Sequence, residues 1–231
     1  MTDRHVGHRE RMRERFFQHG LETFNEIEAL EMLLYYAIPR KDTNPLAHEL
    51  LDRFGSLEYV LNATEEELCS VPGVNQRIAA LLMMVPQITR LSEVTRANQI
   101  VDVTRTEDAV KLLQPYFRGQ RRELFIMLCL DAQKRVTHIE QMNKGVVNYV
   151  NFDTRRVVET ALKRHAVSVI LAHNHPDGRA YPSREDDSAT GQVLRALNTV
   201  GIDLYDHIII AGDDSASYRR SGAMPLFRFN Y

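Results

Sequence analysis

Apolar positions in the first hundred residues recur at helical spacing. Ile27, Leu30 and Leu34 fall on one helical face, and Ile78, Leu81, Leu82 and Val85 repeat at intervals of three and four. The punctuation between these runs is that of short helices. Asn44-Pro45 predicts a helix with Asn44 as N-cap and Pro45 at its first position, ended by Gly55. Thr64-Glu-Glu-Glu67 has the spacing of a capping box and opens a short helix reaching Ser70. Val71-Pro-Gly-Val-Asn75 then predicts a tight turn. The stretch 95–99 is polar and aperiodic, which places a domain boundary there, with a helical domain at 1–98 and a second domain at 99–231.

Past that stretch the period changes. Glu123–Leu130 is a nearly continuous apolar run closed by Asp131-Ala-Gln-Lys134, the pattern of a buried strand. Val136–Met142 and Val146–Val150 predict two more strands, Val167–Ala172 another buried one, and His207–Ala211 a last one closed by Gly212-Asp-Asp214. Val157, Val158, Ala161 and Leu162 mark one helix, and Ala189, Val193, Ala196, Leu197 and Val200 mark a second. The order, α-βββ-α-β-α-β(β), implies an α/β domain around a mixed sheet.

Composition narrows the class. With 44% hydrophobic and 26% charged residues among 231, the chain has enough apolar surface for packed cores, which excludes wholesale disorder. No apolar run approaches the ~18 residues of a membrane span, and the N-terminus leads into Arg and His rather than an apolar signal. Cys69 and Cys129 form no CxxC pair and read as reduced buried thiols, so a cytoplasmic protein without membrane contact is expected. Residues 1–100 hold 11 basic against 15 acidic residues, and residues 101–231 hold 18 against 16. Neither half is a polycation, so any nucleic-acid contact must be local. Arg9, Arg11, Arg13 and Arg15 form the one dense basic cluster; diluted by Glu10 and Glu14, it reads as a solvated helix face.

The chemistry concentrates in His173-Asn-His-Pro-Asp-Gly-Arg-Ala-Tyr-Pro-Ser-Arg-Glu-Asp186. Two histidines at i and i+2 follow the buried strand 167–172, and in extended chain both rings point to one side. Ser183 sits where the next helix begins and Asp186 in its first turn, a capping pattern that does not exclude ligation. A strand end giving two imidazoles and a helix start giving one carboxylate supply three ligands with a fourth position left for water. Nitrogen and carboxylate donors with an exchangeable position suit Zn²⁺ better than the all-oxygen shells of Mg²⁺ or Ca²⁺.

His173-x-His175-x7-Ser183-x2-Asp186 resembles the JAMM (MPN+, JAB) metallopeptidase motif. His173-Asn-His-Pro with Pro182-Ser183, and Asp206-His-Ile-Ile-Ile210 downstream, resemble the bacterial RadC group more closely, over about residues 100–222. The segment before it, with Phe54-Gly-Ser-Leu57 and a helix-hairpin-helix at 64–85, is similar to the region preceding the JAB domain in RadC-type chains. The fold implied is an all-helical N-terminal domain plus a JAB/MPN, cytidine-deaminase-like α/β domain. The resemblance further implies His173, His175 and Asp186 as zinc ligands, Ser183 as the oxyanion-stabilising serine, and Glu123 as general acid/base. Zinc lowers the pKa of coordinated water from ~15.7 toward ~7, a carboxylate beside it moves the proton, and together they hydrolyse an amide. Two departures from the RadC pattern stand out: Asp177 where the family usually has serine, and Thr154-Arg155-Arg156 where it often has Pro-Arg-Glu.

Helix-hairpin-helix motifs bind a DNA phosphate through hairpin amides, which here directs attention to Gly73, Asn75 and Arg77. The usual second glycine is Asn75, a residue that tolerates left-handed backbone. Glu65-Glu-Glu67 would oppose a phosphate, and a purely structural hairpin is the other reading. Three functions are therefore carried forward: a zinc hydrolase cleaving a peptide or isopeptide bond of a protein substrate, a DNA repair-associated accessory protein, and a non-catalytic JAB scaffold.

Overall fold

The computed structural model describes residues 7–98, 102–142, 153–176 and 178–224. The chain divides into two compact units, Met1–Thr89 and Arg90–Tyr231. Among the described residues no helix is long and apolar enough to cross a membrane.

The first unit is helical: α1 (His8–His19), α2 (Glu26–Leu34), α3 (Asn44–Phe54), α4 (Leu57–Leu61), α5 (Glu65–Cys69) and the start of α6 (Gln76–Ala97). Leu30, Leu34, Leu50, Val60, Leu68, Ile78 and Leu82 form its core, which is why the three- and four-residue spacing predicts these helices. Capping boxes open α2 at Asn25 with Glu28 and α5 at Thr64 with Glu67. Gly55 closes α3 with φ of 87°, where a side chain would be strained.

Three expectations are corrected here. Thr43, not Asn44, is the N-cap of α3; Asn44 is already helical and its side-chain amide donates to Glu31 at 3.0 Å. The polar stretch after residue 94 is not a linker throughout: α6 runs past Pro86 to Ala97, with the Thr95 hydroxyl bonded to the Leu91 carbonyl. Nor is the arginine cluster of α1 merely solvated. Arg9 donates to the carbonyls of Ile38 and Pro39, and Arg15 pairs with Glu28 and stacks on Phe24.

The second unit adds α7 (Thr106–Phe117), β1 (Phe125–Leu130), β2 (Val136–Gln141), α8 (Thr154–Lys163), β3 (Ser168–Asn174), α9 (Arg184–Thr199), β4 (Asp203–Ala211) and β5 (Asp214–Ser217). Among the described residues the sheet order is β2-β1-β3-β4-β5, with β3 and β4 parallel and the other neighbours antiparallel. The expected strand Val146–Val150 lies outside the described residues. Strand alternation builds two apolar layers. Phe125, Met127, Cys129, Val169, Leu171 and Ile209 face Val157 and Ala161 of α8 and Val193, Leu194 and Leu197 of α9. Ile126, Leu128, Leu130, Ile170, Ala172, Ile208 and Ile210 face Ala109, Leu112, Leu113 and Phe117 of α7. The result is a mixed α/β domain with helices on both faces.

Candidate metal centre

β3 is longer than its apolar run predicts. It continues through His173 and Asn174, which pair in register with β4 at Ile209 and Ile210. His173 is therefore a strand residue, opposite Phe125 of β1, and its ring stacks on that phenyl with centroids 5.9 Å apart. His175 lies just past the strand, tied by its amide to the Ile210 carbonyl at 2.9 Å. Both histidines keep the odd-numbered face of β3, the one covered by α9. The same face receives the N-terminus of α9, where Ser183 caps and Asp186 is the third helical residue.

Three side chains expected as ligands meet there. His173 Nε2 lies 3.0 Å from His175 Nε2 and 3.1 Å from Asp186 Oδ1, and His175 Nε2 lies 3.4 Å from Asp186 Oδ2. Among the described residues this is the His/Cys/Asp/Glu group able to hold a metal ion. A tetrahedral Zn²⁺ with bonds near 2.0–2.1 Å needs donors about 3.3 Å apart, so the observed spacing fits. The chemistry of the donors also fits. His175 Nδ1 lies 3.1 Å from the Arg179 carbonyl, which can only accept, so Nδ1 carries the proton and Nε2 has a lone pair. Two imidazole nitrogens and a carboxylate oxygen this close repel one another unless a cation or a shared proton lies among them.

Asp186 is held for that task. Its Oδ2 accepts from the Ser183 amide at 2.8 Å and the Ser183 hydroxyl at 2.7 Å, which turns Oδ1 toward His173. Burial alone would push the carboxyl up; the neighbouring His173 ring and the two Ser183 donors outweigh it and hold the group well below the usual carboxylate range. Ser183, expected as an oxyanion donor, spends its single hydroxyl proton on Asp186 and accepts from the Asp186 amide at 3.0 Å. Gly178 leaves room for His175: a Cβ there would stand 3.1 Å from the His175 Cβ. Asp177 lies outside the described residues.

Glu123 is exposed, two residues ahead of β1. Extending the β1–β3 register from Phe125 opposite His173 sets it across from His175. Asn174 grips the backbone on both sides of it: the Leu124 amide donates to Asn174 Oδ1 at 2.7 Å, and Asn174 Nδ2 donates to the Arg122 carbonyl at 3.3 Å. Behind the three donors, His173 Nδ1 lies 3.0 Å from His207 Nε2, and His207 Nδ1 lies 2.6 Å from the Thr190 hydroxyl. Burial drives the His207 pKa well below its ordinary value.

Residues 103–223 match the RadC-like JAB domain and residues 4–80 match the UPF0758 N-terminal family. The chain belongs to the RadC-like JAB family. A UPF0758 protein of Fusobacterium nucleatum is 33% identical over 223 residues, covering 94% of this chain and 96% of that one. The RadC-like region contains every residue of the cluster just described.

Sequence reasoning assigned no role to Asn174, Thr190 or His207, although Asn174 and His207 lie in the segments that resemble RadC chains. Asn174 was legible as the residue between two histidines, whose side chain must face away from theirs. His207 begins an apolar run as a lone imidazole, and Thr190 is a lone hydroxyl on an apolar helix face; neither carries a spacing signal.

The three hairpin residues lie apart from this centre in sequence and role. Gly73, Asn75 and Arg77 are all exposed, and Gly73 adopts φ of 93°. Asn75 does not use the left-handed backbone that asparagine tolerates. Its side chain instead caps α6, accepting from the Ile78 amide at 3.1 Å.

Proposed function

We propose that the RadC-like domain is a zinc-dependent hydrolase of the metallopeptidase type, cleaving a peptide or isopeptide bond in a protein or peptide substrate. The supporting observation is the convergence of two imidazole nitrogens and one carboxylate oxygen within 3.0–3.4 Å at the junction of β3 and α9. His173, His175 and Asp186 would hold the ion. When bound, zinc supplies Lewis acidity that makes water a nucleophile near neutral pH and polarises the scissile carbonyl.

The chain's own residues do the rest. Glu123, on the segment fixed by Asn174, accepts a proton from the attacking water and returns it to the leaving amine as the C–N bond breaks. Ser183 orients the Asp186 carboxylate; by turning its hydroxyl outward it can instead donate to the developing oxyanion, an interaction worth about 2.7–4 kcal/mol in other acyl-transfer sites. Purified protein should carry about one zinc per chain, lost in His173→Ala. Glu123→Gln should keep the zinc and lose turnover on any substrate found. Wild-type protein that takes up no zinc would defeat this reading.

A separate proposal concerns the helical hairpin 64–85, as a DNA phosphate contact through Gly73, Asn75 and Arg77. The positive φ of Gly73 and the exposure of all three support it. Electrophoretic shifts across a salt series test it: binding should weaken with salt, and Arg77→Ala should shallow the slope by about one charge. Binding indifferent to both would exclude the contact.

A further inference from the structure

Two of the three candidate ligands are joined by a buried path of hydrogen bonds that the hydrolase reading does not use. It runs from the Asp186 main-chain carbonyl to the Thr190 hydroxyl at 2.6 Å, on to His207 Nδ1 at 2.6 Å, and from His207 Nε2 to His173 Nδ1 at 3.0 Å. Thr190 and His207 are fully buried. The Tyr218 ring lies flat on His207, centroids 5.0 Å apart and planes within 5°, and the Tyr218 hydroxyl is tied to Asp187 at 2.7 Å. The His207 ring is thus fixed in its plane.

Counting protons along the path gives it a direction. A carbonyl oxygen only accepts, so the Thr190 proton points to Asp186. With its one proton spent, the Thr190 oxygen must accept from His207, and Nδ1 of His207 carries the hydrogen. His207 is fully buried, where a charged imidazolium is costly, so its ring carries one N–H and Nε2 is an acceptor. His173 Nδ1 must then donate to it, which leaves His173 Nε2 with a lone pair aimed at His175 and Asp186.

We propose that His207, oriented by Thr190, is a positioning residue that fixes the His173 tautomer and so presents Nε2 to the ion. The inference rests on the divalent-ion reading of the three donors. Histidine ligands elsewhere depend on such a partner for their other nitrogen. Here the partner is another imidazole, which accepts only because Thr190 compels it to. The arrangement also links the ligands: the helix turn that delivers Asp186 sets, through one hydroxyl and one ring, the proton on His173.

The test compares wild type with His207→Phe, His207→Gln and Thr190→Val, using zinc affinity from chelator competition and the imidazole N–H resonances of the zinc-loaded proteins. Phenylalanine fills the space and accepts nothing, so zinc affinity should fall about 10–100-fold. Glutamine offers an oxygen to His173 and an N–H to Thr190, and should recover most of that loss. Thr190→Val leaves His207 without its directing acceptor and should cost about 10-fold. The His173 Nδ1 proton should give a protected downfield resonance in wild type and in His207→Gln, absent from His207→Phe. If wild type binds zinc and folded His207→Phe or Thr190→Val binds it within about threefold as tightly, the tautomer relay is refuted while the metal site stands. A glutamine variant no better than phenylalanine also refutes it. Wild type that binds no zinc overturns both.

Discussion

Asn174→Ala probes how Glu123 is positioned. The side chain is nearly buried and makes two bonds, from the Leu124 amide at 2.7 Å and to the Arg122 carbonyl at 3.3 Å. Their losses are unequal. Arg122 is exposed, so water replaces the amide at its carbonyl at little cost. Leu124 is half-buried, and its N–H loses a short bond with poor access to solvent. An unsatisfied buried donor costs about 1–3 kcal/mol, and partial access puts this one at about 1–2 kcal/mol. That corresponds to a 5–30-fold loss of protection for the Leu124 amide, readable by hydrogen exchange without any substrate. Zinc affinity should stay within about threefold, since Asn174 contributes no ligand. Asn174→Asp should keep the Leu124 bond, because a carboxylate still accepts, and lose only the one to Arg122. Once a substrate is known, turnover in Asn174→Ala should fall toward 100-fold, the scale of a 1 Å misplacement of a reacting group. Unchanged Leu124 exchange in the alanine variant would refute the reasoning, and so would loss of zinc.

Other outcomes follow from the same contacts. Gly178→Ala puts a methyl 3.1 Å from the His175 Cβ and should weaken zinc binding about 10-fold by displacing that ring; chelator competition showing no change would contradict it. Burial pushes the Cys129 thiol up to about 11, so at pH 8 about one molecule in a thousand is thiolate there; alkylation of native protein should modify Cys69 alone, and peptide mapping checks it. The buried neutral thiol stabilises the fold below the ordinary thiol pKa, and that contribution is lost as pH rises through about 11. Asp206→Ala strands three donors, the Thr106 and Ser217 hydroxyls and the Arg219 amide, and should cost about 3 kcal/mol or more, seen as a lower urea midpoint for the second unit.

Several helices of the first unit were legible because they bury one stripe or announce their ends: Thr64 with Glu67, Pro45 near a helix start, Gly55 after one; α4 was not read from the sequence. The misplaced cap at Asn44 and the continuation of α6 past Pro86 depend on neighbours that no local pattern encodes. In the second unit, β1 and β3 stood out as apolar runs buried on both faces. The end of β3 did not, since His173 and Asn174 are polar and were placed just past the strand. They stay in the strand because β4 supplies ladder partners and because their side chains find Phe125, His207 and the Leu124 amide. That His173, His175 and Asp186 would converge was legible from spacing. What lies behind them was not, because His207 and Thr190 reach His173 through tertiary packing.

That packing turns on one extra residue. Val169 pairs with Leu204, but Ile170 pairs with Asp206, so Tyr205 is bulged out of β4. Ahead of the bulge Leu204 lies on the α9 face; after it Ile209 does, and the even-numbered Ile208 and Ile210 face α7. With no bulge, His207 would stand opposite Ala172 and point into the apolar layer under α7. With it, His207 stands opposite Leu171 on the face that carries His173, and Asp206 turns to the other face, where the Thr106 hydroxyl of α7 meets it at 2.9 Å. A one-residue change of register reverses every side chain of a strand. Deleting Tyr205 should therefore close the bulge and keep Asp206 opposite Ile170 and His207 opposite Leu171, so both side chains keep their faces. A deletion variant that folds should bind zinc within about threefold of wild type, and a loss as large as that of His207→Phe would refute this account of the register.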